Sequence, residues 1–249
     1  MIFEPKIAEV KKHIDHYWII GNGDFLSMNN GEMYAYPGIT PDMIIVLDGH
    51  FTIQYMGKKY TSNRSMLFSF IHKEVVVDLS KLKRFIIVKF KSRGISSLKP
   101  FLGYSAEVIM KDSVAYVDDM FGRSIELLRV HLLLLEPSEI ANELDDWFAG
   151  YYKKEREGFV IEMVQEVSEH CDLKIIMAAT NYSYSTIERY FKKDTGLTPK
   201  KFQSLQRYKK AIRELYVTRN SDWQHYVLKY GYYDQSHFIR EIKLSLIHI

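Results

Sequence analysis

Two short stretches in the last third of this 249-residue chain carry side chains suited to reading a polynucleotide. The first is Tyr184, Ser185, Thr186 and Arg189, with Lys192 and Lys200 close behind; the second is Asp234, Gln235, Ser236, His237 and Arg240. Each opens with small polar or hydrogen-bonding residues and then shows an arginine. A helix entering the major groove of DNA needs that order. Its N-terminal side chains reach base edges, while basic groups and free amide N–H groups hold phosphates. Gln suits adenine and Arg suits guanine, each good bidentate pair discriminating by roughly 1–3 kcal/mol. Glu188 either accepts from cytosine N4 or repels non-cognate phosphate. The bland alternative for Arg189 and Arg240 is a solvated helix face.

Such residues work only if a scaffold presents them, and the surrounding pattern supplies one twice. Leu173–Thr180 reads as a short apolar helix, and after Asn181 and Tyr182, Ser183 can cap a helix running to Lys193. Ile187, Tyr190 and Phe191 would face inward, and Gly196 is placed for a left-handed C-terminal cap. Pro199 opens a longer helix with Phe202, Leu205, Ile212 and Leu215 at burial spacing. Its other face carries Lys200, Lys201, Arg207, Lys209, Lys210 and Arg213. Asp222 can cap Trp223–Tyr230, Gly231 turns, and a last helix starts near Asp234. Two helix-turn-helix units result, Leu173–Lys193 and Asp222–Lys243. On one face of a duplex they would engage successive major grooves, about 34 Å apart. Trp223, Phe191 and Phe238 read as core.

Charge follows the same division. Residues 173–249 hold 14 Lys/Arg against 6 Asp/Glu, a net +8, whereas the remainder holds 20 against 25, a net −5. A basic module beside an acidic one is the pattern expected when only one of them meets a polyanion.

The first ninety residues punctuate as β structure, with candidate strands at Tyr17–Ile20, Met43–Leu47, Phe51–Met56, Met66–Ile71, Val75–Leu79 and Phe85–Phe90. Asp48-Gly49 signals a hairpin, and Asn30-Gly31 and Met56-Gly57-Lys58 further turns. Ser113–Tyr116 reads as a helical or loop piece, and Asp118–Leu135 as one amphipathic helix. Pro137 interrupts it and Ser138 can cap the next, which carries Ile140, Leu144, Trp147, Phe148 and Tyr151. The Leu132–Leu135 run suits either a dimer-forming helix or the core. Lys153–Gly158 is the best boundary in the chain.

Other chemistries lack their residues. Cys171 has no disulfide partner and, beside His170, reads as a small buried residue. No His-x-His pair occurs; His13 and His16 share a helical face at most, without a third ligand, and His50 and His72 are isolated. Gly21-Asn22-Gly23 meets Leu26 where a dinucleotide fingerprint needs Gly. No Gly-x-Ser-x-Gly and no phosphate-binding loop is present. Tyr34, Tyr36, Phe51, Tyr55, Phe68 and Phe70 fit strand packing better than an effector pocket. The longest apolar runs, Met43–Leu47 and Ile175–Ala179, are five residues, so no membrane span is expected. Met1–Lys6 leads into no apolar stretch, which predicts no signal peptide and a cytoplasmic protein.

The run Ser183-Tyr184-Ser185-Thr186-Ile187-Glu188-Arg189-Tyr190-Phe191-Lys192, followed by Gly196-Leu197-Thr198-Pro199-Lys200, resembles the first helix-turn-helix of AraC/XylS-type transcriptional regulators. Gly231-Tyr232-Tyr233-Asp234-Gln235-Ser236-His237-Phe238 resembles the second. Tyr17-Trp18, Phe90 before Gly94, and Val117–Gly122 are similar to sensor-like domains that precede this module in one subgroup. The chain departs from the pattern at Ile242, at Tyr226-Val227 and after Lys243, where Leu244–Ile249 predicts a truncated or atypical end.

The expected fold is α+β: a β-rich, barrel-like (cupin-like) domain over 1–135, a connecting helix and linker over 136–158, and an all-α domain with two helix-turn-helix units over 159–249. The resemblance implies a bacterial regulator that binds a double-stranded DNA operator. RNA polymerase, a small-molecule effector and a second copy of the chain are further candidate partners. No catalytic residue, metal or cofactor is expected. The competing reading is a metal-independent β-barrel enzyme with an accessory, nonspecific nucleic-acid-binding module.

Overall fold

The structure is a computed structural model that describes residues 1–21, 32–35, 40–55, 57–68, 75–91, 94–95, 97–98, 114–152, 173–195, 197–218, 222–236 and 238–239. Asn30-Gly31, Tyr36, Phe70, His72, the Lys153–Gly158 boundary, His170, Cys171 and Gly196 lie outside the described residues, as does everything from 240 to 249.

Ten strands are described: β1 (Ile2–Phe3), β2 (Ile14–Ile20), β3 (Glu32–Ala35), β4 (Asp42–Gly49), β5 (Phe51–Tyr55), β6 (Lys58–Ser62), β7 (Met66–Phe68), β8 (Val75–Asp78), β9 (Leu82–Phe90) and β10 (Val114–Tyr116). They form a six-stranded sheet in the order β1-β2-β9-β4-β7-β10 and a four-stranded sheet in the order β3-β8-β5-β6, antiparallel throughout. Eight helices are described: α1 (Ala8–His13), α2 (Val117–Phe121), α3 (Arg123–Leu132), α4 (Pro137–Tyr151), α5 (Leu173–Thr180), α6 (Tyr184–Thr195), α7 (Pro199–Thr218) and α8 (Trp223–Lys229).

The central strands β4 and β9 are apolar on both faces, and the two-residue strand period sorts their side chains. Ile44, Val46, Phe85 and Ile87 meet Phe51, Ile53, Val75 and Val77 of the smaller sheet. Met43, Ile45, Leu47, Ile86 and Val88 belong to the cluster of Ile125, Leu128, Leu132, Ile140, Leu144 and Phe148 from α3 and α4. The large sheet is thus sandwiched between a second sheet and a helical layer.

Several local expectations are overturned by tertiary pairing. Asp48-Gly49 is not a hairpin: β4 pairs with β7 and β9, whereas β5 pairs with β6 and β8, so the chain changes sheets there. Gly49 is still required, at φ 100°, because a Cβ would lie 2.3 Å from the Lys81 carbonyl oxygen. The true tight hairpin joins β5 to β6, where Tyr55 pairs with Lys58 and Gly57 has φ 75°. Val114–Tyr116 is an edge strand on β7 instead of a helical or loop piece. The helix expected over Asp118–Leu135 breaks at Gly122, whose φ of 54° and ψ of −136° lie outside the helical region. Glu136, rather than Ser138, occupies the N-cap of α4; its N–H donates to Glu139 Oε2 at 2.9 Å, and Pro137 follows. His13 ends α1 and is buried, stacked 4.3 Å from Tyr152, while His16 lies in β2, so the two share no helical face.

Two polar contacts fasten the helical layer. Buried Asp145 of α4 accepts the backbone N–H groups of Lys6 (2.6 Å) and Ile7 (3.0 Å), which lead into α1, and the Tyr17 hydroxyl of β2 (2.7 Å). Burial, reinforced by Asp145, pushes the Tyr17 phenol well above its ordinary pKa. Arg84 of β9 donates to the carbonyl oxygens of Leu133 (2.6 Å) and Leu135, holding the turn between α3 and α4.

Hydrogen bonds to a charged group contribute roughly 1.5–3 kcal/mol, and three donors depend on the Asp145 carboxylate. Asp145→Ala is expected to lower unfolding free energy by about 3 kcal/mol or more, and Tyr17→Phe by about 1 kcal/mol, in urea titrations followed by circular dichroism. Equal small losses for both would show that α4 is held by its apolar contacts alone.

Candidate nucleic-acid interface

The first unit is α5, a turn and α6. The turn needs a left-handed residue, and Asn181 supplies it at φ 55°. Ser183 caps α6: its Oγ accepts the Thr186 N–H at 3.2 Å, and its carbonyl accepts the N–H groups of Thr186 and Ile187 at 3.0 Å each. The helix then buries one stripe, Ile187 and Phe191, with Phe191 edge-on to Phe202 of α7 at 5.2 Å. Tyr184, Ser185 and Arg189 are left exposed, and Thr186 and Lys192 half-buried.

Glu188 forms an ion pair with Lys192 at 3.5 Å, one turn on. Arg189 lies over the Tyr190 ring, 5.4 Å from its centroid. Thr195, which the sequence reading passed over, is fully buried and ends α6: its hydroxyl donates to the Phe191 carbonyl (2.8 Å) and accepts the Leu197 N–H (3.3 Å). Thr198 then caps α7, accepting the Lys201 N–H at 3.1 Å, with Pro199 in the first turn and Lys200 exposed.

The second unit repeats the arrangement. Asp222 caps α8, its Oδ1 accepting from the N–H groups of Gln224 (3.0 Å) and His225 (3.4 Å). Gly231 turns the chain at φ 65°. A further helix opens after Asp234, whose carbonyl accepts the Phe238 N–H at 3.1 Å. Asp234, Gln235 and Ser236 are exposed. Phe238 is fully buried against Tyr232 (4.8 Å), Tyr226 (5.7 Å) and Trp223 (6.0 Å). His237 and Arg240 lie outside the described residues.

A shift of 51 residues superposes the two sequences: Ser183 on Asp234, Tyr184 on Gln235, Ser185 on Ser236 and Ile187 on Phe238. In both, exposed polar residues open the helix and a fully buried apolar residue follows a turn later. Each helix therefore shows its N-terminal side chains to solvent, which suits contact with base edges and phosphates.

Glu214 of α7 is a structural residue that the sequence reading missed. Its carboxylate meets three donors from α8 and the residue after it: His225 Nε2 of the first turn at 2.9 Å, Lys229 Nζ of the last at 2.7 Å, and the Tyr230 hydroxyl. These bonds hold the carboxyl down to about 2, while burial and then Glu214 itself push the Tyr230 phenol up to about 12. Nothing local marks Glu214, because its partners stand 11 to 16 residues away on another helix.

A family model described as a helix-turn-helix domain matches residues 176–245. No curated protein matches the chain significantly. Among solved structures, ToxT from Vibrio cholerae is 10% identical, covering 93% of this chain and 94% of its own at a TM-score of 0.46. An unsaturated fatty acid-bound form of ToxT is 12% identical, covering 93% and 91% at a TM-score of 0.44. The AraC-like transcriptional activator CuxR is 10% identical, covering 89% and 86% at a TM-score of 0.29. Among the described residues, no helix is long and apolar enough to cross a membrane.

The Glu214 contacts give the helical part an acid dependence whose sign is fixed. The folded pKa lies below the ordinary value of 4.5, so the stabilisation is fully present above about 4.5 and is lost as pH falls towards about 2. Glu214→Gln is expected to lower the Tm at neutral pH and to flatten the loss across that window, measured by thermal circular dichroism at several pH values. Superimposable acid profiles would rule the role out.

Proposed function

With residues 176–245 forming a helix-turn-helix domain of the AraC type, we propose that the chain is a sequence-specific regulator of transcription that binds a double-stranded DNA operator. The observation that carries this reading is the repeated geometry. Two helix starts, 51 residues apart, each expose polar side chains above one buried anchor, Ile187 or Phe238.

Tyr184, Ser185, Thr186 and Arg189 of the first unit, and Asp234, Gln235, Ser236, His237 and Arg240 of the second, read bases in adjacent major grooves. Lys192 and Lys200, with the exposed cations Lys201, Lys209, Lys210 and Arg213 of α7, hold phosphates and fix register. The Glu188–Lys192 pair occupies the Glu188 carboxylate, which leaves it less suited to accept from cytosine N4.

The N-terminal domain modulates this binding by sensing a signal, by self-association, or by both, and RNA polymerase is the partner downstream. Support for such coupling comes from the apolar cluster that covers the large sheet, which also contains Ile176, Ile187 and Phe191 of the first unit. A change in the helical layer is thereby felt at α6.

Fluorescence anisotropy with DNA from upstream of the chain's own gene, against scrambled DNA and across a salt series, tests the proposal. Binding is expected to favour the upstream fragment and to weaken steeply with salt as phosphate contacts release counterions. Arg189→Ala is expected to weaken it about tenfold or more, and Gln235→Ala to reduce the preference over scrambled DNA by about five- to a hundredfold. Equal affinity for both DNAs would replace a regulator with a nonspecific binder.

A further inference from the structure

The 51-residue shift that relates the two units also superposes two tyrosines that the reading side chains do not include, Tyr182 and Tyr233. Each stands immediately before the residue that opens its unit's second helix, Ser183 or Asp234. Tyr233 is 93% exposed and Tyr182 41% exposed. Tyrosine is ordinarily well covered, and its enrichment at interfaces comes from a ring that gains by being covered and a hydroxyl that still finds a partner. Tyr232, one residue earlier, follows that rule: it is buried, 4.8 Å from the Phe238 ring.

The exposure of Tyr233 is built into the turn. Gly231 reverses the chain at φ 65°, and the Tyr232 N–H donates to the Val227 carbonyl at 3.0 Å while its ring fills the core. On the other side the Asp234 carbonyl accepts the Phe238 N–H at 3.1 Å. Backbone fixed on both sides leaves Tyr233 in water. In the first unit Asn181 turns the chain, and the Tyr182 N–H donates to Thr180 Oγ1 at 3.2 Å. The Tyr182 ring lies 5.9 Å from that of Tyr190, which Arg189 overlies, so an aromatic group borders the reading arginine. Charge says what covers the two rings. Residues 173–249 carry a net +8, which draws a polyanion to this surface. The chain enters the groove at the helix start, so a side chain just ahead of it meets the sugar–phosphate strand bordering that groove.

We propose that Tyr182 and Tyr233 are a matched pair of DNA-backbone contacts, one at the entrance to each groove. The phenol hydroxyl donates to a phosphate oxygen and the ring packs on the adjoining deoxyribose. Tyrosine is among the side chains that bond phosphate oxygens, and such contacts fix register without reading sequence. The inference rests on the DNA-binding reading above and adds two neutral contacts to it.

Fluorescence anisotropy of the full chain on the upstream and the scrambled DNA, across a salt series, tests this. Tyr233→Ala is expected to weaken binding to both by the same factor, about tenfold, leaving the preference between them unchanged. Tyr233→Phe and Tyr182→Phe keep the ring and lose only the hydroxyl, so each should weaken both DNAs by about threefold. A phenol is neutral and releases no counterion, so the slope of log affinity against log salt should stay at its wild-type value in all three variants. Lys200→Ala, which removes a cation, should lower that slope by about one. Tyr233 is exposed and the Phe variants keep their rings, so the Tm should stay near wild type. Unchanged affinity in Tyr233→Ala would overturn the proposal, because something other than DNA would then cover the ring. A loss confined to the upstream fragment would overturn it as well, because the side chain would then be reading bases. Equal affinity of the wild-type chain for the two DNAs removes sequence-specific reading but leaves the tyrosine losses measurable on either, so the two failures are distinguishable.

Discussion

Met43–Leu47 of β4 and Phe85–Val88 of β9 are buried at every position, and everything else in the N-terminal domain follows from that. An antiparallel sheet ordinarily turns one face to water; this one has no polar face to turn. Burying such side chains contributes roughly 1.5–3 kcal/mol each, so both faces must be covered. Phe51, Ile53, Val75 and Val77 cover one from the smaller sheet, and the inward sides of α3 and α4 cover the other. The polar contacts then have a definite task. Asp145 joins α4 to the entry of α1 and to β2, and Arg84 ties the turn after α3 to β9, so the helical layer is placed by hydrogen bonds as well as by apolar contact.

What was legible in the sequence was what short-range chemistry decides. The strands at Tyr17–Ile20, Met43–Leu47 and Val75–Leu79 show in their β-branched runs, and the caps at Ser183 and Asp222 in residues whose oxygens reach amides two or three positions on. What was hidden depended on partners far along the chain. Asp48-Gly49 says that the chain turns but not which strand it turns towards, and the answer, a change of sheet, lies in the pairing of β5 with β8. Val114–Tyr116 became a strand because β7 offered an edge. Gly122 was visible as a glycine within a helical period, yet only its backbone angles show that α2 and α3 are separate.

The candidate interface divides in the same way. The exposed polar residues at both helix starts could be read directly, because the cap and the buried anchor fix them over one turn of helix. The groups that hold the units in place could not. Glu214 looks like one acid on a basic helix, and Thr195 like one more polar residue before a glycine, until their distant or enclosed partners are known. Positioning residues of this kind are defined by tertiary contact, whereas the candidate reading residues are defined by their place in a local motif.

The two units rest on different cores, and α7 belongs to both. Ile187, Phe191 and Phe202 join the cluster that covers the large sheet, whereas Phe238 packs with Tyr208, Ala211, Tyr226 and Tyr232 in a separate one. Phe202 lies near the start of α7, and Tyr208 and Ala211 near its middle, so one continuous 20-residue helix carries an anchor for each unit. These anchors stand six to nine residues apart, about 9–14 Å along the helix axis at 1.5 Å per residue. One continuous helix between the anchors holds the two units at a fixed separation. Glu214, about four fifths of the way along, fastens α8 to it through three donors. Among the described residues, the first unit thus shares the core that covers the large sheet, whereas the second packs in the separate cluster that α7 also joins. α7 is therefore the element on which both cores bear: its first turn is fixed by the cluster that covers the large sheet, while its middle holds the anchor of the second unit.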